Sequence, residues 1–206
     1  MRLSLSLPRD KLIRKETFFH LAVVFVTDQI LETPRLFLRK LRTDDSPFLR
    51  LILQDGDVMY AWGHAFSDRE AADWLADNLL RYERDGYSYW AVIEKATRRL
   101  IGVCGLLSEQ ADGENTVGVG YLFRKSCWGK GYAIESAAAC IDYAFDVLHL
   151  GEITAQIRPD NIPSRKVAEK LGMTVKKQFI RNDSGKQIPH LLYSRKRETS
   201  FKSPRG

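Results

Sequence analysis

The residues with the clearest chemical meaning form the segment Trp128-Gly129-Lys130-Gly131-Tyr132-Ala133. A strand-like segment, Thr116 to Arg124, precedes it, and apolar residues recur every three or four positions after it, as in a helix. Glycines between a strand and a helix let backbone N–H groups approach a ligand closely, at the positive end of the helix dipole. This arrangement favours phosphate binding. The segment nevertheless matches neither the P-loop pattern nor the G-x-G-x-x-G fingerprint.

The same segment resembles the acyl-CoA loop Q/R-x-x-G-x-G/A of the GCN5-related N-acetyltransferases (GNAT family), with Gly131 and Ala133 in the small positions. The branch it resembles contains the acetyltransferases of ribosomal-protein N-termini. Three further segments fit that branch in the family's order, and the resemblance runs from Leu31 to Arg197. They are Thr33 to Arg39, Ile101 to Leu106, and Asn161-Ile162-Pro163-Ser164 followed by Glu169 to Met173.

The resemblance implies an α/β fold, a single domain with a mixed, mostly antiparallel sheet flanked by helices. It places an N-terminal extension at residues 1–30, the N-acetyltransferase domain at 31–197 and a polar tail at 198–206. It also implies acetyl-CoA as cosubstrate and no metal. The residues expected to bind the coenzyme are Leu122 and Phe123 through their backbone, Trp128, Gly129, Lys130, Gly131, Tyr132 and Ala133 in the loop, and Asn161.

Ser164 is the catalytic candidate that the resemblance implies, because the branch often has serine at the end of its N-x-x-S motif. The thiolate that leaves acetyl-CoA needs a proton or a hydrogen bond, and the start of a helix favours negative charge. A serine at a helix start is also a common N-cap. Asn161 can bind the pantetheine arm or cap the same helix.

The general base is not evident from the sequence. Relatives carry glutamate in an E-x-G-Y pattern before the loop, but this chain reads Gly118-Val119-Gly120-Tyr121. An α-amine, with a pKa of about 7.7–8.0, needs less help to lose its proton than a lysine at about 10.4. The missing carboxylate therefore favours an N-terminal α-amine or another weakly basic amine as acceptor. His64 is another candidate for the general base, because histidine titrates near neutral pH, or it lines the substrate site. Glu109 and Glu114 are expected at the surface of a hairpin.

Gly118 and Gly120 weaken the strand before the loop. Glycine within a strand marks a bulge, a close backbone approach or a packing accommodation. The first two would suit a strand that separates from its neighbour to admit a ligand.

The composition is that of an intracellular globular domain. A chain of 206 residues with 44% hydrophobic content can bury one full core. Its three cysteines, Cys104, Cys127 and Cys140, have no metal-ligand spacing and indicate reduced thiols and a cytoplasmic location. Cys127 lies beside the loop without an evident activating partner, and Cys140 is expected to be buried on the following helix.

The net charge of +6 raises the possibility of nucleic-acid binding. The basic residues are spread along the chain, however, and no nucleic-acid-binding module is recognisable. Part of the excess can instead face the phosphates of coenzyme A. The candidates for this role are Arg124, Lys125, Lys130, Arg165 and Lys166.

Residues 1–30 lie outside the resemblance. Lys11 to Lys15 followed by Phe18 to Val26 imitates a signal peptide, but the apolar run contains His20 and lacks a cleavage site. It is too short to span a membrane. The sequence leaves three interpretations of these residues open: an extra strand, an arm that packs on the domain or on a second subunit, or a disordered extension.

The remaining pattern alternates strands and helices. A helix is expected at Thr43 to Leu53, and Ser67 with Glu70 has capping-box spacing at the start of another. Pro163 and Gly172 fit the first turn and the end of a later helix. The expected strands are Arg35 to Leu41, Tyr87 to Glu94, Leu100 to Leu107, Thr116 to Arg124, Glu152 to Ile157, Met173 to Ile180 and Gln187 to Arg195.

Together these features predict an enzyme that transfers an acetyl group from acetyl-CoA to a primary amine by direct attack. A protein N-terminal α-amine is the favoured acceptor, and a small-molecule amine is the other. The missing glutamate also motivates an alternative, a noncatalytic acyl-CoA-binding regulatory module. No membrane partner is expected, and a homodimer stays open.

Overall fold

A computed structural model describes residues 28–183 and 185–198. The predictions for residues 1–27 and 199–206 lie outside the described residues. The strands are β1 (Gln29–Glu32), β2 (Leu36–Lys40), β3 (Tyr89–Glu94), β4 (Leu100–Ala111), β5 (Glu114–Phe123), β6 (Glu152–Ile157), β7 (Thr174–Asp183) and β8 (Lys186–Lys196). The helices are α1 (Ser46–Leu53), α2 (Asp68–Asp85), α3 (Tyr132–Asp146) and α4 (Ile162–Lys170), with short 3-10 turns at Thr43–Asp45, Tyr60–Trp62 and Lys125–Cys127.

The strands form one sheet in the order β1-β2-β3-β4-β5-β6-β8-β7. All neighbouring pairs are antiparallel except β5 and β6, which are parallel. The chain must therefore cross over from β5 to β6, and α3 forms this crossover. The fold class predicted from the sequence, an α/β domain with a mixed and mostly antiparallel sheet, is confirmed.

Helices cover both faces of the sheet. On one face, Cys140 of α3 lies with its Sγ 3.6 Å from Sγ of Cys104 on β4, and both cysteines are buried. Tyr89 of β3 stands opposite Gly105, the next residue of β4, so it points to the other face. There the Trp74 ring of α2 packs on Tyr89 with centroids 5.4 Å apart. We call these the α3 face and the α2 face.

Local sequence signals explain most element boundaries. The capping box is present, because Ser67 Oγ accepts from the Glu70 N–H while the Glu70 carboxylate accepts from the Ser67 N–H. Pro163 lies in the first turn of α4, and Gly172 follows its end with a φ of 74°.

The β4–β5 hairpin is longer than the sequence predicted. The strand expected at Leu100 to Leu107 continues to Ala111 and turns through Asp112 and Gly113, both with positive φ. Two positive φ angles are what a two-residue hairpin turn of type I′ requires. Glu109 therefore lies within the strand part of the hairpin, where it is half-buried rather than fully exposed.

None of the described helices is long and apolar enough to cross a membrane.

Candidate active site

β5 and β6 separate soon after they meet. Gly118 and Thr154 form the one registered pair between these strands in the described chain, supported by a 3.3 Å hydrogen bond from Thr154 Oγ1 to the Val117 carbonyl. β5 nevertheless continues to Phe123 on its partner β4, and β6 continues to Ile157 on its partner β8. The edge of β5 from Val119 to Phe123 thus faces a space between the strands, which we call the β5–β6 gap.

The loop at the end of β5 exposes unpaired backbone donors. Gly129 and Gly131 have φ angles of 74° and 80°, and Gly131 is the N-cap of α3 without a side-chain cap. The N–H groups of residues 129–134 donate to no acceptor within the described part of the chain. Unpaired N–H groups at a helix start can bind an anion. The geometry therefore suits the phosphate binding expected from the sequence pattern.

The segment before β2 fixes this loop through direct hydrogen bonds. Thr33 Oγ1 donates to Glu135 Oε1 over 2.6 Å, and the Arg35 N–H donates to the same oxygen over 2.9 Å. The Arg35 guanidinium then donates to Glu135 Oε2 (2.6 Å) and to the Lys130 carbonyl (2.9 Å). We call these contacts the Glu135 network. Three of these hydrogen bonds end on the Glu135 carboxylate of α3, and the fourth ends on the loop at the Lys130 carbonyl. Together they hold the loop against β2.

The start of α4 lies beside the β5–β6 gap. The Tyr121 hydroxyl of β5 donates to the Ser164 carbonyl over 3.1 Å. Asn161 is the N-cap, since its Oδ1 accepts from the Ser164 N–H over 3.1 Å. Ser164 itself is half-buried, and its hydroxyl lies beside that of Tyr121. The capping role that the sequence left open between Asn161 and Ser164 belongs to Asn161.

The other residues expected to bind the coenzyme differ in what they can offer a ligand. The side chains of Leu122 and Phe123 are buried, so they can offer a ligand only their backbone. Trp128 is 47% exposed, with its indole N–H held by the Phe123 carbonyl at 2.8 Å. Tyr132 is buried, and its hydroxyl donates a hydrogen bond to the Glu94 carboxylate. Only its backbone N–H therefore remains for a ligand at the loop. Lys130 is exposed and Ala133 is half-buried.

The five cations expected to face phosphates divide into two groups. Lys125 pairs with Asp57, and Arg165 donates to the Tyr193 hydroxyl and the Pro159 carbonyl. The remaining three have no acidic partner among the described residues. They are Arg124, Lys130 and Lys166.

Two other residues singled out from the sequence have structural partners. His64 Nε2 lies 2.8 Å from Glu70 Oε1, beside the capping box of α2. Lys177 holds Glu114 at the hairpin surface with a 3.1 Å ion pair. No group of three or more His, Cys, Asp or Glu side chains in the described ranges is placed to hold a metal ion.

Two features of the site are not visible at the level of sequence. The Glu135 network joins residues about a hundred positions apart, although Thr33 and Arg35 lie in a segment that resembles the family. Glu109 of β4 reaches over β5, where a methyl group placed on Gly118 would lie 2.1 Å from its Oε1. The glycine at position 118 was the available signal, because it leaves room for a neighbouring side chain.

Comparison with known sequences identifies the domain type. The sequence profile of the Acetyltransferase (GNAT) domain matches residues 35–174. The chain is 33% identical over 167 residues to the uncharacterized protein YkkB of Bacillus subtilis, covering 81% of this chain and 95% of the relative. It is also 33% identical over 149 residues to the uncharacterized N-acetyltransferase p20 of Bacillus licheniformis, covering 69% of this chain and 81% of the relative.

Solved structures of acetyltransferases have a similar fold. A GNAT-family acetyltransferase from Bacillus anthracis superposes with a TM-score of 0.69 at 26% identity, covering 81% of this chain and 97% of that one. RimL, a ribosomal L7/L12 alpha-N-protein acetyltransferase solved with coenzyme A, superposes with a TM-score of 0.66 at 19% identity. That comparison covers 82% of this chain and 98% of RimL, and at this identity it concerns the fold alone.

The Glu135 network predicts a pH-dependent contribution to stability. Burial alone would raise the pKa of Glu135, but hydrogen bonds from Thr33 and from the Arg35 backbone and side chain outweigh it and lower the pKa. A lowered carboxyl pKa stabilises the folded state above the unfolded pKa of about 4.3, and this stabilisation is lost as the pH falls through the folded pKa. Glu135→Gln should cost about 1–3 kcal/mol at pH 7.

Chemical unfolding of wild type and Glu135→Gln from pH 7 to pH 3 measures this difference. It should be constant down to about pH 5 and shrink below, as the wild-type carboxyl protonates. Glu83→Gln, on the exposed side of α2, is the matched control and should change stability by less than about 0.5 kcal/mol. A difference that is the same at pH 7 and pH 3 would contradict the network.

Proposed function

The chain belongs to the GNAT family of acetyltransferases, and on that premise we propose that it transfers the acetyl group of acetyl-CoA to a protein N-terminal α-amine by direct attack. The chain is an acetyl-CoA-dependent acetyltransferase, as its family and its relatives named N-acetyltransferases establish. The noncatalytic alternative is therefore set aside. A small-molecule amine is the other acceptor class compatible with the site.

The observation that carries the proposal is the β5–β6 gap next to the unpaired donors of residues 129–134. An acyl-CoA has a pyrophosphate at one end and a thioester at the other, joined by an arm with two amide groups. Loop N–H groups suit the pyrophosphate, and the free backbone edge of β5 suits the amides. In this proposal Leu122 and Phe123 hold the arm through their backbone, and Arg124 and Lys130 add positive charge near the phosphates.

The acetyl transfer requires a neutral amine, a polarised carbonyl and a stabilised thiolate. The amine nitrogen forms a bond to the thioester carbon, and the carbon–sulfur bond breaks as the thiolate leaves. We assign the stabilisation of this thiolate to Ser164, whose hydroxyl lies at the start of α4 while its backbone N–H and carbonyl are held by Asn161 and Tyr121. Asn161 then supports the site by capping α4, which orients Ser164.

The α-amine preference depends on protonation. At pH 7.5 roughly a third of an α-amine is neutral, against about one part in a thousand of a lysine side chain. The gap lies between strands rather than on a flat surface, which suits an acceptor that enters end-on, as a chain terminus or a small amine does. RimL, which shares the fold, acts on the α-amine of a ribosomal protein.

An acceptor panel tests this proposal. Peptides with a free N-terminus, the same peptides with a blocked N-terminus and one lysine, and small primary amines are each assayed for thiol release from acetyl-CoA. At pH 7.5 we expect kcat/KM for the free α-amine to exceed that for lysine at least tenfold, with mass spectrometry placing the acetyl group on the terminal nitrogen. Fastest turnover of a small amine or of lysine would contradict the α-amine proposal.

Replacement of Gly131 tests the phosphate loop. A Cβ at this position meets only Arg35 Nη2, at 3.4 Å, so crowding is minor. The φ of 80° is the obstacle, because a β-branched residue resists it and would rotate the N–H groups away from the anion. We expect Gly131→Val to raise the Kd of acetyl-CoA at least tenfold, about 1.4 kcal/mol, by calorimetry.

The matched control is Gly113→Val, in the hairpin turn at the far end of β5. Gly113 has a φ of 79°, and a Cβ at this position would have no atom within 4 Å, so the two variants carry the same backbone strain. The control should lose stability without losing affinity. Unchanged affinity in a folded Gly131→Val protein would refute the assignment of the loop.

Replacement of Ser164 tests the thiolate assignment. Interactions made only in the transition state are seen in kcat, so Ser164→Ala should lower kcat far more than it weakens acetyl-CoA binding. General acid catalysis typically raises the reaction rate about 10²–10⁴-fold. Asn161→Ala is the comparison, since loss of the cap should cost about 1 kcal/mol of stability, whereas Ser164→Ala should leave the melting temperature unchanged. Near-normal kcat, where chemistry limits the rate, would rule out the assignment.

A further inference from the structure

The E-x-G-Y position of this chain holds glycine, yet a carboxylate occupies the space above it. Glu109 belongs to β4, and its Oε1 lies 2.1 Å from the place where a Gly118 Cβ would stand. A side chain at position 118 would displace the Glu109 carboxyl group from this position. The glycine and the glutamate therefore form a matched pair across two adjacent strands.

The carboxyl group lies at the closed end of the β5–β6 gap. Gly118 is the β5 residue at which the two strands part, and the side-chain amide of Gln156, two residues past Thr154 on β6, hydrogen-bonds Glu109. The Glu109 side chain thus reaches from β4 across β5 to β6. It lies on the α2 face, since Leu107, two residues earlier on β4, stands opposite Gly118.

Gln156 adds an unused acceptor at this point. Its Nε2 donates to the Gln110 carbonyl over 3.0 Å, which fixes the orientation of the amide because a carbonyl can only accept. Its Oε1 is buried and accepts no hydrogen bond from the described residues. A buried acceptor without a donor is costly, and an ammonium group or a water beside Glu109 would satisfy it.

Two tyrosines near the gap, Tyr89 and Tyr121, cannot take a proton at neutral pH. Burial raises the pKa of both Tyr89 and Tyr121 well above its ordinary range, so both hydroxyls stay protonated. A Cβ on Gly120 would lie 2.4 Å from Tyr89 Oη, so this hydroxyl lies over β5 beside the carboxylate. At the closed end of the gap, the Glu109 carboxylate is able to accept a proton.

We propose that Glu109 is the general base of this enzyme, reaching across Gly118 to receive the proton of the acceptor ammonium, directly or through one water. The proposal rests on acetyl transfer to an amine and not on which amine is acetylated. One proton moves from the ammonium to the Glu109 carboxylate, and the neutral nitrogen attacks the thioester carbon. The carbon–sulfur bond breaks, and the second nitrogen proton passes to the departing sulfur.

The surroundings set the pH at which Glu109 is active. Burial raises its pKa to about 7, opposed by the Gln156 hydrogen bond and by the positive charges of Arg181 on β7 and Arg81 on α2. Tyr89 on β3 faces it without a charge. A base with a pKa near the working pH combines a large ionised fraction with useful proton affinity.

The experiment replaces Glu109 by glutamine and uses the fastest acceptor of the panel above, whichever class it belongs to. We expect kcat/KM at pH 7 to fall at least 100-fold. The wild-type profile should rise with an apparent pKa near 7, whereas that of Glu109→Gln should rise only as the acceptor amine itself loses its proton. Glu114→Gln, in the same hairpin and paired with Lys177, is the matched control and should keep the wild-type rate and profile.

Two further measurements distinguish loss of the base from poor folding of the Glu109→Gln variant. The double variant Glu109→Ala with Gly118→Glu returns a carboxylate to the strand position and should recover at least tenfold over Glu109→Ala alone. Carbon-13 NMR of labelled glutamate carboxyls needs no acceptor and should show one group titrating near pH 7 that is missing in Glu109→Gln.

The proposal is overturned by kcat/KM for Glu109→Gln within threefold of wild type with an unchanged profile, or by a Glu109 carboxyl that titrates in the ordinary range of glutamate. A small-molecule amine as the fastest acceptor would contradict the α-amine proposal and leave the test of Glu109 in force.

Discussion

The site depends on one backbone constraint: β5 has a strand partner along its whole length on one side and for a single residue pair on the other. Backbone N–H and C=O groups inside a protein must find partners, so a strand that loses its neighbour must meet a ligand, a side chain or water there. The 3.3 Å bond from Thr154 to the Val117 carbonyl secures the last point of contact. Beyond it, the helix crossover through α3 allows β6 to diverge without breaking the sheet.

The loop after β5 is fixed by a part of the chain far from it in sequence. Thr33 and Arg35 hold Glu135 in the first turn of α3, and Arg35 also holds the Lys130 carbonyl. Glycines at 129 and 131 permit the loop conformation, but they do not enforce it, because glycine is flexible. The ion pair supplies the order that the glycines lack, so the donor groups are positioned before a ligand arrives, which lowers the entropic cost of binding.

The sequence predicted what depends on local pattern. Glycine spacing marked the loop, the Ser67 and Glu70 pair marked the start of α2, and the sequence pattern marked β2 to β8 to within about four residues, whereas β1 was not predicted. It did not predict the partner of Glu135 or the position of Glu109, because both depend on which strands lie side by side. Once β4 is known to extend to Ala111 opposite β5, Glu109 and Gly118 become neighbours. A carboxylate missing from one strand can thus be supplied by the next.

The parting of β5 and β6 also bears on self-association. A free strand edge is a template on which another polypeptide can form β-structure, and proteins usually protect such edges with charge, proline or a bulge. Here the edge from Val119 to Phe123 lies inside the sheet, closed at one end by the Gly118–Thr154 pair and flanked by α4 through the Tyr121 contact with Ser164. A second chain cannot align along it as it could along an outer edge. The position of this edge thus leaves it available to a narrow ligand while preventing a second chain from pairing along it as a β-strand.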